Sequence, residues 1–123
     1  MRAVVVKRDS FDAAHFLPGY PGKCANLHGH HWVVEVGIVG EVNKETGMVI
    51  DFSKIKKVME PIIDRFDHHC LNDSIKMPTA ENIATYILTK LGYEWIQSPQ
   101  EPLQVKFVRV WESEDSYAEV SNA

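Results

Sequence analysis

Three imidazoles and one thiol lie close together near the start of the chain: His15, then Cys24-Ala25-Asn26-Leu27-His28-Gly29-His30. In an extended chain, side chains at i and i+2 point to the same face, so His28 and His30 converge on one point, with Gly29 adding no bulk between them. His15 ends the first apolar stretch (Val4-Val5-Val6, then Phe11 to Phe16), which is expected to pair with the strand beginning at His30 and so bring a third imidazole to the same place. Three neutral histidines with a fourth position open suit a zinc centre that does chemistry, whereas structural zinc sites close the shell with four protein ligands rich in cysteine. Spacing leaves two other readings open: a closed site of Cys24 with the three histidines, and a solvated strand face with alternating polar residues.

The elements that must position these residues are legible in outline. Arg2 to about Arg8 is valine-rich and reads as a strand, and Trp32 to Val39 reads as a second, longer one. Between them Pro18, Gly19, Pro21 and Gly22 mark a long loop that delivers Cys24 just ahead of the paired histidines. Ser53 is the expected N-cap of a helix whose face is Ile55, Val58, Met59, Ile62, Ile63 and Phe66, with a kink or a broken hydrogen bond expected at Pro61. A second helix is expected after Pro78, capped by Thr79, with Ile83, Ala84, Ile87, Leu88 and Leu91 as its face and Gly92 as its stop. Leu103 to Trp111 and Tyr117 to Val120 read as two further strands.

This order, ββααββ, predicts an α+β fold: a four-stranded antiparallel sheet with both helices on one face. The second strand carries apolar residues on both sides, Val33 and Val39 against Val34, Val36 and Ile38. The second sheet face is therefore expected to be covered by another subunit, making a homo-oligomer.

With 123 residues, 45% of them hydrophobic, the chain is expected to form one domain spanning 1–123. A formal charge of −4 without a Lys/Arg-rich run argues against a nucleic-acid partner and for a small molecule. No stretch has the length of a membrane span and the N-terminus lacks a signal-peptide pattern, so a cytoplasmic location is expected. There Cys24 and Cys70 are expected as thiols rather than a disulfide, Cys70 as a small buried hydrophobe.

A second group, Asp67-His68-His69, follows the first helix directly. Its types fit acid/base work, since a carboxylate can orient an imidazole and raise its basicity; they equally fit a polar helix end. Glu112 opens the acidic cluster Glu112-Ser113-Glu114-Asp115, which reads either as a solvated turn or, if Glu112 points into a pocket, as an acceptor for two N–H groups of a heterocycle. Asp51, Thr79 and Glu81 are weaker candidates, well explained as helix-flanking, capping and first-turn residues.

Six motifs in register carry a resemblance: Phe11-Asp12-Ala13-Ala14-His15, Cys24-x-x-x-His28-Gly29-His30, Gly47-Met48-Val49-Ile50-Asp51-Phe52, Phe66-Asp67-His68-His69-Cys70-Leu71-Asn72, Pro78-Thr79-Ala80-Glu81-Asn82 and Glu112. Together they resemble the 6-pyruvoyl-tetrahydropterin synthase family, most closely its 6-carboxy-5,6,7,8-tetrahydropterin synthase branch of queuosine biosynthesis. The resemblance implies the tunnelling fold (T-fold), in which the sheets of several subunits join into a β-barrel as trimers or hexamers, with active sites at subunit interfaces. It further implies zinc on His15, His28 and His30, Cys24 as the catalytic thiol, Asp67 and His68 as the acid/base pair, and Glu112 as the pterin anchor with Thr79 lining the same pocket. The implied activity is a lyase acting on a pterin triphosphate, 7,8-dihydroneopterin triphosphate, to give 6-carboxy-5,6,7,8-tetrahydropterin, acetaldehyde and triphosphate. The alternatives are 6-pyruvoyl-tetrahydropterin synthase itself and a pterin- or zinc-binding module without turnover. Three residues between Cys24 and His28 resemble the carboxypterin branch, and a cysteine there argues against the hydroxymethylpterin branch, which tends to use glutamate.

Overall fold

A computed structural model describes residues 1–96 and 103–122. Four strands, β1 (Arg2–His15), β2 (His28–Glu41), β3 (Gln104–Ser113) and β4 (Ser116–Val120), form one antiparallel sheet in the order β1-β2-β3-β4. Between β2 and β3 come α1 (Phe52–Phe66) and α2 (Ala80–Ile96); α1 packs on β1, and α2 on β3 and β4. The expected α+β arrangement is therefore present.

Strand β1 reaches further than its valines, because Asp9 to Asp12 stay in an unbroken ladder with β2 that runs from Arg2 opposite Glu41 to His15 opposite His28. The charged residues hide the strand from composition, but alternation survives: Phe11, Ala13 and His15 are buried while Ser10 and Asp12 are exposed. On β2 the inward set is Trp32, Val34, Val36 and Ile38, all fully buried against Ile55, Met59, Phe66, Ile83, Ile87 and Leu91 of the helices. Complete burial of one such aliphatic or phenyl side chain is worth about 1.5–3 kcal/mol, so this layer holds the sheet and helices together. The indole N–H of Trp32 donates to the carbonyl of Ala13 at 3.2 Å, which lets a polar atom sit in that layer.

Two further local expectations differ from the structure. The cap of α1 is Asp51 rather than Ser53: its extended backbone precedes the helix, and its carboxylate accepts the Ser53 N–H at 2.8 Å, which also holds the Asp51 carboxyl below its usual pKa. Helix α2 does not stop at Gly92 but continues to Ile96, because Gly92 is not among the residues in the left-handed region that a glycine terminator needs. At Gly29, which adds no bulk between the paired histidines, an added Cβ would meet only the Ala13 carbonyl oxygen, at 3.9 Å. Thr79 does cap α2, accepting the Asn82 N–H at 3.1 Å, and α1 runs on through Pro61.

The face of the sheet away from the helices leaves Val4, Val6 and Tyr117 exposed. No helix among the described residues is long and apolar enough to cross a membrane.

Candidate active site

The β1–β2 ladder sets His15 opposite His28 and Ala13 opposite His30, so all three imidazoles project from the helix-covered face at one end of the sheet. Their potential ligand atoms lie within 4.8 Å of one another, and the ring centroids are 4.6, 4.9 and 5.2 Å apart. Trp32 closes the inner wall, meeting His15 and His30 edge-on at 4.9 and 5.3 Å. Cys24 is not in the cluster, so the closed four-ligand arrangement is not the one formed.

Backbone carbonyls decide which nitrogens face the centre. His15, only 1% exposed, gives its Nδ1–H to the carbonyl of Pro78 at 2.7 Å, and His28 gives its Nδ1–H to the carbonyl of Asn26, also at 2.7 Å. A carbonyl can only accept, so both Nδ1 atoms carry hydrogen and a neutral ring then turns a bare lone pair inward from Nε2. These two Nε2 atoms stand 3.0 Å apart. Two lone pairs at that distance repel unless a cation, a proton or a metal ion, lies between them. His30 adds a buried Nε2 with no hydrogen-bond partner. Its pKa is lowered chiefly by burial, partly offset by Glu112 and reinforced by His15 and His28, so burial favours the neutral ring that a metal ligand must be. The donor set thus fits a metal ion, and hydrogen bonds from the outer ring nitrogens to carbonyls are the usual way ligating histidines are oriented.

Glu112 sits at the mouth of this cluster. Trp111 pairs with Val33 on the outer face, so the next residue turns to the histidine side, where its Oε1 is 3.5 Å from His30 Nε2. Glu112 thus faces the histidine side, with its carboxylate partly exposed.

Cys24 lies on a short 3-10 turn (Lys23–Ala25) and is half-buried; neither it nor Cys70 is in a disulfide. Its loop is tied at the base. The Leu17 N–H donates to the Cys24 carbonyl at 2.8 Å, and the Asn72 side chain brackets Phe16 by accepting its N–H at 3.0 Å and donating to its carbonyl at 2.9 Å.

Asp67 and His68 do touch, for a reason the sequence does not display. His68 has φ of 60°, a left-handed backbone uncommon for a non-glycine residue, and its Nδ1 lies 3.0 Å from Asp67 Oδ2. The segment is stitched to the free edge of β1: Asp12 N–H donates to Asp67 Oδ1 at 2.9 Å, His68 N–H to the Asp12 carbonyl at 2.7 Å, and Ala14 N–H to the His69 carbonyl at 3.2 Å. The Asp67 carboxyl is held below its usual pKa, first by the Asp12 N–H and then by His68. The side chain of His68 is 80% exposed, and it borders an open depression shared with His30, Asp12, His31, His69 and Cys70.

Sequence reasoning missed Asp12, Asn26 and Pro78. Asp12 holds the acid/base candidates through its backbone, and its carboxylate accepts from His31 Nδ1 at 2.8 Å. Asn26 and Pro78 act through carbonyl groups that every residue type possesses, so no residue pattern could mark them.

Comparison with known proteins places this geometry. The family described as 6-pyruvoyl tetrahydropterin synthase matches residues 4–123. A Synechocystis protein named 6-carboxy-5,6,7,8-tetrahydropterin synthase is 42% identical over 95 residues, covering 72% of this chain and 74% of that one. A Pyrococcus furiosus protein named dihydroneopterin monophosphate aldolase is 35% identical over 115 residues, covering 94% of both chains. Among solved structures, the Caenorhabditis elegans 6-pyruvoyl tetrahydropterin synthase superposes with a TM-score of 0.85 at 29% identity, covering 100% of this chain and 97% of that one. The strand order, the histidine cluster and these likenesses agree that the chain belongs to the 6-pyruvoyl tetrahydropterin synthase family.

Proposed function

We propose that this chain is a zinc-dependent lyase that converts 7,8-dihydroneopterin triphosphate and water into 6-carboxy-5,6,7,8-tetrahydropterin, acetaldehyde and triphosphate, in a route to queuosine or another 7-deazapurine. The observation that carries the reading is the pair of Nε2 lone pairs 3.0 Å apart beside the partnerless Nε2 of His30, a donor set that needs a cation. Support for the carboxypterin product comes from the Synechocystis relative's name.

His15, His28 and His30 would hold the zinc. When bound, it supplies Lewis acidity that makes a nearby hydroxyl more acidic and polarises a developing carbonyl. Glu112 would anchor the pterin, its carboxylate accepting two N–H groups from the guanidine-like edge of the ring; its 3.5 Å approach to His30 keeps anchor and metal ligands within one small site. Thr79 would line that pocket, being next to Pro78, whose carbonyl orients His15. Cys24, as thiolate, would take a proton from the substrate side chain, and His68, oriented by Asp67, would return one. Triphosphate leaves by elimination, and the terminal carbons leave as acetaldehyde. Oxidation of the side chain is balanced by reduction of the ring, so no redox cofactor enters.

The exposed His68 and the uncovered outer face carrying Val4, Val6 and Tyr117 support a homo-oligomer, a trimer or hexamer with its sites at subunit interfaces. A cytoplasmic location suits a soluble pterin substrate.

A second reading has its own observation. The Pyrococcus relative is named an aldolase for dihydroneopterin monophosphate, so a retro-aldol cleavage to a hydroxymethylpterin is the competitor, together with simple formation of the 6-pyruvoyl product suggested by the Caenorhabditis elegans structure. Mass spectrometry of products from zinc-loaded protein, with aldehydes trapped, separates them. Carboxytetrahydropterin with equimolar acetaldehyde supports the proposal. A pyruvoyl product without acetaldehyde, or hydroxymethylpterin with glycolaldehyde phosphate from the monophosphate, replaces it, and unchanged substrate leaves a binding module.

A further inference from the structure

On the outside of the helical layer, α1 and α2 frame a groove of about 310 Å³ lined by Lys57, Val58, Pro61, Ile62, Arg65, Tyr86 and Lys90. That volume lies at the lower end of the range for small-ligand sites, about 300–1,000 Å³. Lys57, Pro61 and Arg65 recur at intervals of four and form one stripe along α1; Tyr86 and Lys90 are likewise four apart on α2. The groove wall thus holds three cationic side chains and no carboxylate, in a chain whose formal charge is −4. Among the described residues none of the three forms an ion pair: Arg65 only approaches the Ser74 hydroxyl, at 3.4 Å, and Lys90 lies over the Tyr86 ring at 5.5 Å. Glu60 and Asp64, the α1 acids that flank the stripe in sequence, are not part of the lining.

The floor is of a different character. Ile62 is buried, Val58 and Tyr86 are half-buried, and Tyr86 is braced by Phe66 at a centroid distance of 5.3 Å. Pro61 has no N–H and adds its ring to the apolar part of the lining. Three cations suit phosphate oxygens, and an aromatic and aliphatic floor suits a planar ring.

We propose that this α1–α2 groove is a second ligand site, separate from the histidine cluster, that takes a nucleoside di- or triphosphate. The phosphates lie between Lys57, Arg65 and Lys90, and the base lies on the Tyr86 and Ile62 side. The site does not depend on the reaction proposed above.

Titration calorimetry of the zinc-loaded full chain with ADP and, separately, with inorganic triphosphate tests it. ADP is expected to bind with a Kd well below about 1 mM at moderate salt, more tightly than inorganic triphosphate, because the ring adds apolar contact. The double variant Lys57→Gln/Lys90→Gln should weaken ADP at least about tenfold, the loss of roughly one charge-assisted contact, with an unchanged melting temperature. Glu112→Gln should leave ADP binding intact. The proposal falls if ADP does not bind, if the double variant binds it as well as the unaltered chain, if inorganic triphosphate binds equally well, or if Glu112→Gln abolishes the heat, which would move the ligand to the pterin pocket. Turnover assays play no part, so failure here is distinguishable from failure of the lyase reading.

Discussion

The two groups of histidines in this molecule are built on opposite plans. His15, His28 and His30 cluster beside Trp32, the rings of His15 and His28 directed by the Pro78 and Asn26 carbonyls, with the buried Nε2 of His30 left over. Asp67 and His68 hang on the free edge of β1, fixed through their backbone to Asp12 while the imidazole stays 80% exposed. The first group is preorganised for something small that enters between rings; the second holds an exposed imidazole against a carboxylate at the sheet edge. Preorganisation comes from carbonyls and burial in one case and from a strained backbone in the other.

The largest effect separating the two should come from His15→Ala. Metal content by elemental analysis is expected to fall far below one equivalent per chain, and turnover by about a thousandfold or more, since the Lewis acid is worth several kcal/mol. Cys24→Ala should abolish turnover while metal stays bound, because the thiol lies outside the ligand cluster; loss of metal instead would make the thiol a ligand. His68→Ala should lower kcat by about 10²–10⁴, the usual range for a general acid or base, with full metal content. If His68→Ala loses metal as His15→Ala does, the two regions are not separate.

A smaller difference concerns pH. The depressed carboxyl of Asp67 favours the ionised form in the folded chain, so its contribution to stability is fully present above the unfolded value near 3.8 and drains away as pH falls through the lower folded value. Denaturation midpoints of Asp67→Asn and the unaltered chain should therefore converge below about pH 3.8, leaving a gap at neutral pH. The smallest effect belongs to Thr79→Ala, expected to cost ~1 kcal/mol of stability through the lost cap of α2. A raised KM in the same variant would add the pterin-lining role; an unchanged KM would confine Thr79 to the helix.

How much of this was legible depends on whether the information lies in side-chain type or in backbone shape. The convergence of His28 and His30 follows from strand alternation alone, and the faces of α1 and α2 follow from the spacing of Ile55, Met59, Ile62, Phe66 and of Ile83, Ile87, Leu91. Strand β1 beyond Arg8 was hidden by Asp9 and Asp12, charged residues that break the composition without breaking the ladder, Asp12 exposed on the outer face and Asp9 half-buried on the side of Phe11. The cap of α1 was misplaced by two residues because Asp51 and Ser53 are comparable caps and only the backbone tells which is extended. Gly92 as a stop failed for the same reason, since a glycine ends a helix only where the chain actually turns left-handed.

By itself the sequence determined the ββααββ order, the apolar faces and the set of groups able to do chemistry, because periodicity and residue type are local properties. Only the tertiary structure decided that Glu112 stands beside His30, that Cys24 stays outside the ligand cluster, and that Asp67 reaches His68. Those outcomes depend on strand register, on the left-handed turn at His68 and on the carbonyls of Asn26 and Pro78. Each is a relation between distant or backbone groups, which side-chain chemistry read along the chain does not encode.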